Sequence, residues 1–126
     1  MRKRALGFSI ALMALAAGAL YADELDTDLM HAIEDSNKSL ASNIATKDAK
    51  AAGTDAKDLT EMFAKVEAFY TQKGDAADAV QLAKKSQELG AQIQQLVGSG
   101  DFAGATDAAT TLSRTCKTCH NFYKKS

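Results

Sequence analysis

Residues 75–101 read DAADAVQLAKKSQELGAQIQQLVGSGD, and their spacing decides the fold. Ala79, Leu82, Ala83, Ser86, Leu89, Gly90, Ile93, Leu96 and Val97 recur at intervals of three and four, which gathers them on one stripe of a 3.6-residue helix. Asp75 precedes the stripe as a candidate N-cap, where a short side-chain oxygen accepts from free backbone N–H groups. Gly98-Ser99-Gly100 breaks the pattern and Asp101 stands as the cap of the next segment.

The same period continues on both sides. Toward the N-terminus, Leu59, Met62, Phe63, Val66, Phe69 and Tyr70 form a stripe that opens at Thr54 or Asp55 as N-cap and stops at Gly74. Before it, Leu25, Leu29, Ile33, Leu40 and Ile44 mark a helix from about Thr27 to Thr46, with the polar stretch Lys47 to Gly53 read as the connection. After Asp101, a stripe of Ala105, Ala109, Leu112, Cys116 and Tyr123 carries a fourth helix to about Lys125. Short loops force successive helices antiparallel, so the expected fold is all-α, an up-down-up-down four-helix bundle. No sustained heptad supports a coiled coil, and four stripes exceed a three-helix array.

Composition agrees with that fold. A chain of 126 residues has room for one domain, which excludes a multidomain enzyme. It contains no Pro and no Trp; β domains draw on Gly/Pro turns, whereas an Ala-, Lys-, Gln- and Asp-rich chain favours helices with polar connections. Residues 1–22 read separately. Arg2, Lys3 and Arg4 are followed by an uncharged run from Ala5 to Leu20, and Ala22 precedes Asp23-Glu24. That is the pattern of a secretory signal peptide, too short and too rich in Ala and Gly for a membrane span. Cleavage after Ala22 is the preferred reading and cleavage after Ala19 the alternative. The expected organisation is a signal peptide over 1–22 and a bundle domain over 23–126.

Cleavage removes three of the 15 basic residues against 16 acidic ones, leaving a mature chain of about −4. Nucleic acids and anionic membrane surfaces both select basic patches, so neither is an expected partner, and no membrane insertion is expected after cleavage.

The cysteines carry the chemistry. Cys116 and Cys119 are the two in the chain, and His120 follows directly in Cys116-Lys117-Thr118-Cys119-His120. This C-x-x-C-H pattern marks attachment of a c-type haem. Two thiols three residues apart can each add to one vinyl group of the same porphyrin, and the adjacent imidazole then lies under the iron. One covalently attached haem, held through two thioethers, is the expected cofactor. A disulfide across so small a loop adds little stability and is strained on a helix. A thioredoxin-like site needs a βαβ context, and adjacent Cys119 and His120 cannot easily share one tetrahedral zinc.

For the opposite face of the iron, the mature chain offers Met30, Met62 and His31. Met30 falls about 80° from the centre of the first stripe and His31 about 180° from it, at the edge of the buried face and toward solvent respectively. His120 falls about 60° from the centre of the fourth stripe. Edge positions on two helices suit a haem wedged between helices one and four, with Met30 and His120 at the same end of the bundle. Met62 lies on the second stripe and reads as core, as do Phe63, Phe69 and Phe102. Ser86 and Gly90 read either as room for a cofactor or as close helix contacts. Arg114, Lys117, Lys124 and Lys125 cluster near the motif as a solvated face or a docking patch.

An exported four-helix chain with a C-terminal Cys116-Lys117-Thr118-Cys119-His120-Asn121-Phe122-Tyr123-Lys124-Lys125 stretch resembles the class II c-type cytochromes, the cytochrome c′ and low-spin cytochrome c-556 family. The stretch from Gly100-Asp101-Phe102 through Leu112, and a His followed by an aromatic and basic end, are also similar to cytochrome b562, which builds the same bundle around a non-covalent haem. In low-spin members the resemblance implies a Met near the start of helix one as sixth ligand, the place held by Met30 in Asp28-Leu29-Met30. Five-coordinate members carry an apolar residue there and bind NO and CO. The connection around Gln72 to Ala76 is shorter than in those relatives.

The expected function is therefore one-electron transfer in the periplasm by a non-enzymatic monohaem cytochrome with His120 and Met30 as axial ligands. Periplasmic or membrane-bound redox proteins are its expected partners. The alternative is a gas-binding or gas-sensing module with an open distal face. The sequence leaves a homodimer open.

Overall fold

A computed structural model describes residues 27–123, with the side chains of Phe122 and Tyr123 outside the description. The signal-peptide reading of 1–22 lies outside the described residues, as do Lys124 and Lys125. Four helices follow one another: α1 (Thr27–Ala45), α2 (Ala49–Lys73), α3 (Ala77–Gly98) and α4 (Phe102–Tyr123). The chain is all-α among the described residues. Neighbours pack in a closed circuit of α1 on α2, α2 on α3, α3 on α4 and α4 on α1, which is a four-helix bundle.

Cross-helix pairs give the directions. Between α2 and α3, Gly53 faces Val97, Thr60 faces Gly90 and Glu67 meets Gln87, so one number falls as the other rises. Between α1 and α4 the same inversion runs from Met30 with His120, through Asn37 with Ser113, to Ile44 with Thr106. These pairs are antiparallel.

Capping explains the helix ends, and two differ from expectation. Asp101 Oδ1 accepts from the Gly104 N–H at 2.8 Å and caps α4 as expected. Gly74, at φ +80, closes α2 in the left-handed region that glycine enters without strain. The start of α2, however, is not Thr54 or Asp55. Asp48 is the cap, its Oδ1 accepting from Ala51 N–H at 3.1 Å, and Lys47 makes the turn at φ 58. The stretch expected as a connection is largely helix because Ala52 and Ala56 are fully buried and extend the α2 stripe with small residues. Asp55 instead accepts from Ser39 and Asn43 of α1, at 2.8 and 2.7 Å. At α3 the cap position is Ala76, not Asp75; it makes no side-chain cap bond and is buried.

The centre is built from Leu40, Leu59, Ile93, Leu112 and Val97, among the largest fully buried side chains. Between α2 and α3 the helices approach closely. A Cβ built on Gly90 would collide with Thr60 Oγ1 and lie 3.3 Å from the Ala56 carbonyl oxygen. Gly90 is thus a helix contact and not a space-maker. The α1–α4 seam is the least extensively packed of the four. It carries a groove of about 170 Å³ lined by small residues, including Ala41, Ala45, Ala109 and Ser113.

Candidate functional site

Near the end of the bundle where α1 begins and α4 finishes, all four helices wall one pocket. From α4, Thr115, Cys116, Cys119 and His120 face it. A helix returns to the same face after three and four residues, so one stretch of about a turn and a half delivers both thiols and the imidazole to one side. From α1 come Met30, Ile33, Glu34 and Asn37, at the spacing of one helix face. Phe63 and Val66 of α2 close another wall, and Leu82, Ala83 and Ser86 of α3 complete it.

The residues singled out from the sequence separate cleanly. Cys116, Cys119, His120 and Met30 line the same pocket, and each lies between buried and exposed. His31 points away, its side chain 69% exposed and 3.8 Å from Glu34. Met62 and Phe69 pack on the core without lining the pocket, as does Phe102. Phe63 belongs both to the core and to the pocket wall. Arg114 and Lys117 are exposed on α4.

Buried hydroxyls in the wall are satisfied locally. Ser86, 2% exposed, donates to the Leu82 carbonyl at 2.8 Å, and Thr115 donates to the Thr111 carbonyl at 3.0 Å. Their hydrogens are consumed within their own helices, so these hydroxyls have no donor left for the pocket. In the same surroundings the free thiols are held protonated. Burial, reinforced by the neighbouring Cys119, pushes Cys116 from the ordinary 9.0 up to about 11. Burial also pushes Cys119 up. Since the thiolate is the nucleophile and the metal ligand, these cysteines do not have the environment of a disulfide-exchange centre.

Among the described residues, no group of three or more His, Cys, Asp or Glu side chains could hold a metal ion. Two thiols, one imidazole and one thioether instead line one largely apolar hollow, where they could hold a metal carried in its own ring. The cavity volume is about 60 Å³, smaller than a porphyrin, so seating one requires the walls to part. The lightly packed α1–α4 seam adjoins that wall, since Asn37 borders both the pocket and the seam groove.

Glu34, Asn37 and Thr115 are the lining residues that sequence reasoning missed. Glu34 and Asn37 follow Met30 at four and seven residues and were available from that spacing alone. Thr115 was hidden because the buried face of α4 is turned toward Ala108 and Thr115, away from a stripe traced through apolar residues. Among the described residues, no helix is long and apolar enough to cross a membrane. No protein-family model, curated protein or solved structure matches the chain.

Proposed function

We propose that this chain is a periplasmic monohaem c-type cytochrome that transfers single electrons and catalyses no substrate reaction. The observation that carries the reading is that Cys116, Cys119 and His120 open onto the same apolar pocket as Met30. In this reading Cys116 and Cys119 would hold the porphyrin through two thioethers, and the His120 imidazole and the Met30 thioether would ligate its iron. Bound in this way, a haem supplies one-electron exchange at a low-spin iron, with a potential raised by the sulfur ligand.

The polypeptide's contributions are binding, orientation and exclusion of water. Phe63, Val66, Leu82 and Ala83 surround the hollow with apolar atoms, which lowers the local dielectric and strengthens every charge interaction made there. Placement of the donors on two neighbouring antiparallel helices makes ligation depend on helix register, not on a loop. Redox proteins of the periplasm or its membranes are the partners this reading requires.

The test is retention and spectrum. Protein matured where haem is attached should keep its haem through denaturing electrophoresis and acid–acetone extraction, because thioethers survive both. It should be low-spin in both oxidation states. A chain that releases its haem under these conditions would defeat the attachment reading, whereas a high-spin protein that binds CO readily would favour the gas-binding alternative.

A further inference from the structure

We propose that Glu34 is the electrostatic determinant of the pocket, a half-exposed carboxylate side chain on its lining that holds a bound haem iron toward the ferric state. This inference rests on the haem reading and adds to it a residue that the C-x-x-C-H pattern does not reach.

Glu34 is the one carboxylate among the residues lining the pocket, and no Lys, Arg or Asp shares the lining. It lies one helical turn beyond Met30 on the face that also carries Ile33 and Asn37. Its side chain is 51% exposed, so it borders the apolar pocket while remaining open to water. Its Oε2 lies 3.8 Å from His31 Nδ1, a pair that is ionic only when the imidazole is protonated.

Oxidation of haem iron adds one positive charge. A carboxylate beside an apolar wall interacts with that charge through a lower effective dielectric than bulk water, and the interaction favours the oxidised form. Half-exposure weakens the effect and makes it sensitive to salt. Glu34 thus opposes the rise in potential that a Met30 ligand supplies. Asp35, the adjacent residue, is exposed and does not line the pocket, which gives a control of equal formal charge.

The experiment is spectroscopic redox titration of haem-loaded wild type, Glu34→Gln, Glu34→Asp and Asp35→Asn at low and high salt. Haem retention on the denatured chain is scored first, because loss of haem overturns the cytochrome reading and this inference with it. With haem retained, Glu34→Gln should raise the Fe(II)/Fe(III) ratio at fixed applied potential at least about threefold, which is about 28 mV on a scale of 59 mV per tenfold for one electron. Glu34→Asp should stay nearer wild type, and Asp35→Asn should shift the ratio by less than half as much. Added salt should raise the wild-type potential and narrow its gap from Glu34→Gln. A Glu34→Gln potential no higher than that of Asp35→Asn, or a gap indifferent to salt, overturns the role of Glu34 and leaves the cytochrome reading standing.

Discussion

Asn37 donates from Nδ2 to Ser113 Oγ at 3.2 Å across the α1–α4 seam, and Met30 and His120 stand seven residues from it on their respective helices. Seven residues are close to two helical turns, so the pair shares a face with the two proposed axial ligands on each helix. In antiparallel helices, a bond that fixes one level fixes the other. An exposed neutral hydrogen bond contributes only about 0.5–1.5 kcal/mol, so Asn37→Ala should lower stability by no more than that. The informative readout in the haem-loaded variant is the low-spin fraction at room temperature, which should fall. An unchanged spectrum would show that core packing alone sets the register.

Met30 and His31 give opposite expectations although they are adjacent. Met30 lines the pocket while His31 is largely exposed. Met30→Ala should leave the haem attached, abolish the weak red absorption band of a thioether-to-iron bond, lower the potential and open the iron to CO. His31→Ala should leave the band in place and the iron closed to CO. Visible spectra with and without CO decide the matter.

Gly90 and Thr60 make a second pair whose sign can be worked out. Alanine is favoured over glycine within a helix by about 1 kcal/mol, whereas inserting a methyl into a filled contact costs about 1–3 kcal/mol. At Gly90 the new Cβ meets Thr60 Oγ1, which already donates to the Ala56 carbonyl at 2.8 Å, and that carbonyl itself lies close. Gly90→Ala should therefore be destabilising by up to about 2 kcal/mol in urea unfolding. In a Thr60→Ala background the same substitution should become much less harmful.

Before haem attachment, the thiols make stability fall at alkaline pH. The native chain keeps the Cys116 proton up to about 11, whereas an unfolded thiol gives it up near 9.0. The contribution is fully present below the unfolded value and disappears as pH rises through the native one. A two-unit displacement corresponds to about 2–3 kcal/mol at most. Denaturant midpoints of the haem-free protein should drop between these two pH values. The drop should be smaller in Cys116→Ala, and a haem-loaded chain whose sulfurs no longer titrate should lack the thiol contribution.

The helices were legible because their stripes contain Leu, Ile, Val and Phe at regular intervals, and Gly74 and Asp101 punctuate them. The opening of α2 was not. Its first two turns bury Ala52 and Ala56, whose small side chains give no strong periodic signal, and its cap is Asp48 in a run that looks like a polar connection. For the site, the Cys116–His120 motif and the edge position of Met30 could be read from single helices. Glu34 and Asn37 share the helix face of Met30 and could have been read the same way, whereas Thr115 could not be assigned to that wall without the rotation of α4 against its neighbours. Gly90 and Ser86 illustrate the same limit: both are small residues on one stripe, yet Ser86 faces the pocket and Gly90 admits a neighbouring helix.

Met30 lies three residues after the start of α1 and His120 three residues before the end of α4. Both extremities of the bundle's chain path consequently converge beside the pocket, while the α1–α2 and α3–α4 connections lie at the far end. A fluorophore attached at the start of α1 or in the last turn of α4 would sit near the pocket, shadowing it or reporting on it by quenching. Labels placed in those distant connections would leave its approach clear.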